Sequence, residues 1–161
     1  MMYLRNLITS LFVIGIVFSG FISFAYAQEQ VLETKYMSLR NSETYMRYGP
    51  STNYPIKWIY LKKKLPVKIL NDFDQWKKIQ DAFGEEGWVH SALLSAKATG
   101  LIVTKEKYTL IYDDNKEDSV ATLRIEPGVI VDVESCTQTH CEVNVAGYEG
   151  FVEKKYLWGI E

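Results

Sequence analysis

Glu86-Gly87-Trp88-Val89 returns 63 positions later as Glu149-Gly150-Phe151-Val152, and each copy runs on into a leucine, Leu94 and Leu157. Upstream the match shifts to 64: Met46 falls on Leu110, Ile59 on Leu123, Leu61 on Ile125, Val67 on Val131 and Ile69 on Val133. One deleted residue reconciles the two registers. It belongs near Val145-Ala146-Gly147, opposite Asp81-Ala82-Phe83-Gly84, where a hairpin turn absorbs it. A fixed period means that each copy is a unit burying the same apolar positions. Two small modules, residues 34–96 and 97–161, are therefore expected in place of one large enzyme core.

Within the first module the apolar residues fall in five short β-rich runs: Met46 to Tyr48, Trp58 to Leu61, Pro66 to Leu70, Trp76 to Gln80 and Gly87 to His90. Turn-formers separate them, notably Gly49-Pro50-Ser51-Thr52-Asn53 and Asn71-Asp72-Phe73-Asp74. In the second module Val129, Val131 and Val133 alternate with Ile130 and Asp132, and Cys141, Val143 and Val145 with Glu142 and Asn144. Period-two alternation marks strands with one buried face. No stretch from Gln28 onward sustains a helical period, so the expected fold is all-β, two tandem small barrels of about five strands each.

The first 27 residues carry a single charge, Arg5; Leu7 to Phe24 is almost continuously apolar, and Ala25-Tyr26-Ala27 offers the small-x-small pattern of a signal-peptidase site. The expectation is cleavage after Ala27 and a periplasmic or secreted protein with no membrane contact thereafter. The alternative is a retained anchor, because the apolar run approaches the roughly 20 residues that span a bilayer. The whole chain has 18 basic and 20 acidic residues. Residues 28–95 hold 10 Lys/Arg against 8 Asp/Glu, and residues 96–161 hold 7 against 12. Neither half is basic enough for nucleic acid. Lys62-Lys63-Lys64, the densest positive run, reads as a solvated turn.

The ordered motifs Tyr45-Met46-Arg47-Tyr48-Gly49-Pro50-Ser51-Thr52, Leu65-Pro66-Val67-Lys68-Ile69, Trp76-Lys77-Lys78-Ile79 and Glu86-Gly87-Trp88-Val89 with Leu93-Leu94 resemble the bacterial SH3-like (SH3b) domain of exported proteins. The resemblance covers both modules. In the second copy Asp113-Asp114-Asn115 stands where Gly-Pro-Ser would be, Ile111 replaces the Arg, His140 replaces one Trp and Phe151 the other. The resemblance implies tandem SH3-like barrels, of a subgroup with no assigned reaction, and no cofactor is expected. It also implies a cell-wall ligand, a peptidoglycan stem or cross-bridge peptide.

The first module holds more rings than a core of its size buries: Tyr45, Tyr48, Tyr54, Trp58, Tyr60, Phe73, Trp76, Phe83 and Trp88. Aromatic side chains beside a Pro-bearing loop form grooves that dock extended peptides. Tyr45, Arg47, Tyr48, Tyr54 and Trp58 are the candidate ligand-binding residues, with Arg47 available to a carboxylate. The competing reading is that these rings pack the modules together or dock an envelope protein. The second module, lacking these residues, reads as a structural brace.

Cys136 and Cys141 are the only cysteines, and in an exported chain they are expected to pair across a hairpin tip. Zinc held by Cys136, His140 and Cys141 lacks a fourth ligand other than distant His90. A Cys141 nucleophile has its neighbour His140 on the opposite strand face. No serine elbow, paired metal spacing or phosphate loop occurs, so no catalytic residues and no metal are assigned, and a binding module is expected over an enzyme.

Overall fold

Alternation becomes two faces in the computed structural model, which describes residues 35–161. The expected signal segment and its cleavage site lie outside the described residues. The first barrel is built from β1 (Lys35–Leu39), β2 (Thr44–Arg47), β3 (Ile56–Tyr60), β4 (Pro66–Phe73), β5 (Trp76–Gln80), β6 (Glu86–His90) and β7 (Leu94–Ser95). These pair antiparallel in the order β3-β2-β6-β5-β4-β1-β7. The second barrel repeats that order with β8 (Thr99–Ile102), β9 (Thr109–Tyr112), β10 (Ala121–Ile125), β11 (Ile130–Cys136), β12 (His140–Val145), β13 (Tyr148–Glu153) and β14 (Leu157–Trp158), as β10-β9-β13-β12-β11-β8-β14. The protein is all-β, as expected. Each sheet has seven strands where about five were expected. The additions are the opening strands β1 and β8, which precede the repeated motifs, and the two-residue closing strands β7 and β14.

Each barrel has its own core. Leu39, Met46, Tyr60, Val67, Ile79, Val89 and Leu94 fill the first, and Ile102, Ile111, Ile125, Val131, Cys141, Val143, Val152 and Leu157 the second. The deleted residue falls where the repeat placed it. Gln80 pairs with Glu86 across five intervening residues and Asn144 with Glu149 across four.

The 64-residue upstream register holds for Val67 and Val131 but not for the β2–β3 hairpin. There the buried Met46 and Tyr60 correspond to buried Ile111 and Ile125, 65 positions on, while Leu61 stands 74% exposed. Leu110 and Ile111 are both apolar, so alternation could not choose between them. Tyr112, rather than Ile111, therefore occupies the place of Arg47. Each pairs with the next strand's aromatic residue, Arg47 with Trp88 and Tyr112 with Phe151.

The repeated glycine has a packing cause. A methyl group on Gly87 would come within 2.6 Å of Met46 Cγ and 2.8 Å of the Arg47 carbonyl, and one on Gly150 within 2.6 Å of the Tyr112 carbonyl. Only hydrogen lets β6 and β13 cross so close to their neighbours.

The two barrels belong to one compact unit. Lys64 and Lys97 both reach Asp132 on β11, at 2.8 and 3.0 Å, and Thr99 Oγ1 donates to the Lys64 carbonyl at 2.9 Å. Lys62 donates to the Gly128 carbonyl at 3.0 Å. Lys62-Lys63-Lys64 is a turn with Lys62 and Lys63 exposed, as expected, and Lys62 and Lys64 in addition tie the barrels together. Its backbone helps: Lys64 adopts φ 66°, turning the chain back so that its carbonyl faces β8. Tyr36 and Trp158 meet edge to face at 5.4 Å across the same seam.

Candidate functional site

The outer face of the first barrel follows from its pairing. Tyr45 lies opposite Ile59, and Met46 opposite Trp58. Because Met46 is a core residue, Tyr45 and Arg47 point outward and Trp58 shares the reverse face of the ladder. On β5 and β6 the buried Ile79 and Val89 likewise turn Trp76, Lys78, Trp88 and His90 outward.

These outward residues converge. Tyr45, Arg47, Thr52, Trp76, His90, Ala92 and Leu93 surround a cavity of about 220 Å³. Trp76 and His90 are cross-strand partners whose rings meet edge to face at 5.3 Å. His90 is fixed at both nitrogens: the Ala92 N–H donates to Nδ1 at 3.2 Å, and Nε2 lies 3.0 Å from Gln75 Oε1. An accepting Nδ1 leaves the proton on Nε2, so the ring is the neutral tautomer donating to Gln75. Arg47 Nη1 donates to the Tyr54 carbonyl at 2.7 Å, which positions the guanidinium at the cavity lip. The Tyr45 hydroxyl donates to Glu43; that hydrogen bond and the carboxylate's charge raise the phenol above its ordinary range.

Of the five candidates read from sequence, Tyr45 and Arg47 line the cavity and Tyr54 adjoins it through Arg47. The Tyr54 ring lies over Gly49, where a methyl group would come within 2.6 Å of its carbons, so Gly49 serves close packing. Tyr48 is exposed, with the Lys57 ammonium 5.9 Å from its ring centre, and does not line the cavity. Trp58 is on the other face. Trp76 and His90, which do line it, are the outward residues that alternate with buried Ile79 and Val89 on β5 and β6.

Other rings have separate places. Tyr60 is buried, and its hydroxyl donates to Asp81 at 3.0 Å; burial first, then that carboxylate, drives the phenol far above its ordinary range. Asp81 also accepts the Phe83 and Glu85 N–H groups at 2.9 Å, shaping the β5–β6 turn. Phe73 covers the half-buried Trp88 edge to face at 6.4 Å.

A family model described as bacterial SH3 domain matches residues 41–96 and 105–159. The chain belongs to the bacterial SH3 domain family. Similar solved structures are NlpC2 from Trichomonas vaginalis, 15% identical over 78% of this chain and 48% of that one at TM-score 0.35, and NlpC1 from the same organism, 15% identical over 77% and 45% at TM-score 0.35. An NlpC/P60 family protein from Bacillus cereus is 12% identical over 77% and 56%, also at TM-score 0.35. The chain spans about half the length of these solved structures. No curated protein matches it.

In the second SH3 domain Cys136 and Cys141 face each other on β11 and β12 and form a disulfide, as their spacing predicted. That bond consumes both thiols, which removes the zinc and nucleophile readings. Among the described residues no group of three or more His, Cys, Asp or Glu could hold a metal ion.

Proposed function

We propose that this protein is an exported, non-enzymatic binding protein whose first SH3 domain holds a cell-wall peptide of the peptidoglycan type. The observation that carries this reading is the cleft between Tyr45 and Trp76. Its walls are aromatic, its floor is the paired β5 and β6, and a guanidinium stands at its lip. Such a cleft suits an extended peptide, with stacking on the rings and a carboxylate on the donors that Arg47 does not spend on Tyr54. Tyr48 and Tyr54 extend the surface on the loop side. Membership of the bacterial SH3 domain family supports binding as the role, and the disulfide supports an oxidising, periplasmic or secreted location.

A second reading, an envelope protein–protein adaptor, is favoured by β3. Ile56, Trp58 and Ile59 are exposed on a strand that pairs on one side only. Strand edges of this kind accept a further strand from a partner.

Retention of the protein on purified peptidoglycan separates the two. Retention that falls at least severalfold in Tyr45→Ala/Trp76→Ala, with an unchanged circular-dichroism spectrum, supports the cleft. No retention above a denatured control rejects the wall ligand and leaves the adaptor.

A further inference from the structure

We infer that the second SH3 domain carries a cleft of its own, built for a primary alkylammonium group. The inference stands whether or not the first cleft takes a cell-wall peptide, and it replaces the reading of this domain as a mere brace. Strand pairing gives the correspondence. Tyr112 occupies the place of Arg47, His140 that of Trp76, Glu153 that of His90, and Tyr156 follows β13 where Leu93 follows β6. The site has changed polarity: the cation has become an aromatic ring and the imidazole a carboxylate.

The cavity survives that exchange. Glu106, Tyr108, Tyr112, Glu153 and Tyr156 wall a space of about 340 Å³, with Lys107 the one basic residue in its lining. A second space of about 230 Å³ continues past Tyr112 and Glu153. Three tyrosine rings and two carboxylates recognise an ammonium by two additive forces, ring quadrupole and charge.

The chain supplies its own demonstration. Lys155 places its ammonium 2.5 Å from Glu153 Oε2 and 4.8 Å from the centre of the Tyr156 ring. The Arg124 guanidinium lies 5.1 Å from the centre of the Tyr108 ring. Rings of this cleft thus accept cations, and Lys155, which lines the neighbouring space that shares Glu106 and Tyr156, engages Glu153 and Tyr156 from outside the cavity. Lys155 is therefore a competitor for those two groups.

The test is a titration of the ¹⁵N-labelled protein with Nα-acetyl-L-lysine amide, with the uncharged norleucine analogue as control. Saturable shifts at Tyr108, Tyr112, Glu153 and Tyr156 are expected with the lysine probe alone. Glu153→Gln should weaken binding about two- to fivefold, the range of an exposed ion pair. Lys155→Met should strengthen it by a similar factor, a change of sign that no folding defect imitates. No saturable shift, equal shifts with the norleucine probe, or no gain in Lys155→Met would overturn the inference. Shifts confined to Trp76 and His90 would overturn it too, assigning the probe to the first cleft.

Discussion

Lys64 of the first domain donates to Asp132 of the second across 2.8 Å, and its own carbonyl receives the Thr99 hydroxyl from the strand beside Asp132. The ammonium and the carbonyl of one residue thus grip neighbouring strands of the other barrel. Lys97 completes the arrangement by approaching the same carboxylate from the connecting segment. Asp132→Ala should lower stability by about 1 kcal/mol, because the lysines are half exposed and such pairs are worth little more. Matched urea curves of wild type and variant check this. Equal midpoints would show that the tie contributes nothing.

The same carboxylate predicts an acid response. Burial acts to raise the Asp132 carboxyl, but the hydrogen bonds from Lys64 and Lys97 outweigh it and hold the group below its ordinary range. A depressed folded-state value contributes stability that is fully present above the unfolded value of about 3.9 and is lost as pH falls through the folded one. The stability gap between wild type and Asp132→Asn should therefore be constant from about pH 7 to pH 5 and close below about pH 4. Thermal melts across that range measure it. A gap that stays open in acid would place the stabilisation elsewhere.

Gly87→Ala and Gly150→Ala should each destabilise by roughly 1–3 kcal/mol through overpacking against the neighbouring strand. The added methyl meets backbone carbonyl oxygen in both domains, and backbone cannot rotate away. Gly84→Ala is a useful contrast: no atom lies within 4 Å, so any loss there comes from its φ of +87°. Denaturant midpoints of the three variants rank the two effects.

Tyr60→Phe should cost about 1.5 kcal/mol, the lower end for one hydrogen bond to a charged acceptor, because Asp81 keeps two other donors. Asp81→Ala should cost more, because it removes the carboxylate acceptor of the Tyr60 hydroxyl and of both turn N–H groups together, leaving the hydroxyl only Met46 Sδ. Calorimetry that found Tyr60→Phe the worse of the two would contradict this order.

A thiol titration of the unreduced protein should find no free cysteine. Replacing Cys136 and Cys141 by Ala should lower stability by less than about 3 kcal/mol, the value for a 15-residue loop, since the loop here is far shorter. A protein that melts at the same temperature with and without reductant would leave the bond no role in stability.

The barrels were legible because Val67, Ile79, Val89 and their counterparts alternate with polar residues, and because Gly87-Trp88 and Gly150-Phe151 repeat a steric need. The β2–β3 register was not legible: Tyr60 and Leu61, like Leu110 and Ile111, are adjacent apolar residues, and a period of two says nothing about which is inside. The cleft was half legible. Tyr45 and Arg47 share a strand, but Trp76 and His90 reach them only through pairing with distant segments. The tie between Lys64 and Asp132 links residues 68 apart in sequence, and no local pattern announces a contact of that kind.

The hold of Lys64 on β8 and β11 has a consequence for separability as well as for stability. Duplicated modules ordinarily remain exchangeable, able to be cut out, multiplied or spliced beside a new neighbour. Here the ammonium and carbonyl of Lys64, the packing of Gly159 on Pro66 and the Tyr36–Trp158 contact make each copy part of the other's surface. A gene fragment ending at Ser95 would strip those partners away together. Cut apart, each copy would bare the face that the other now covers.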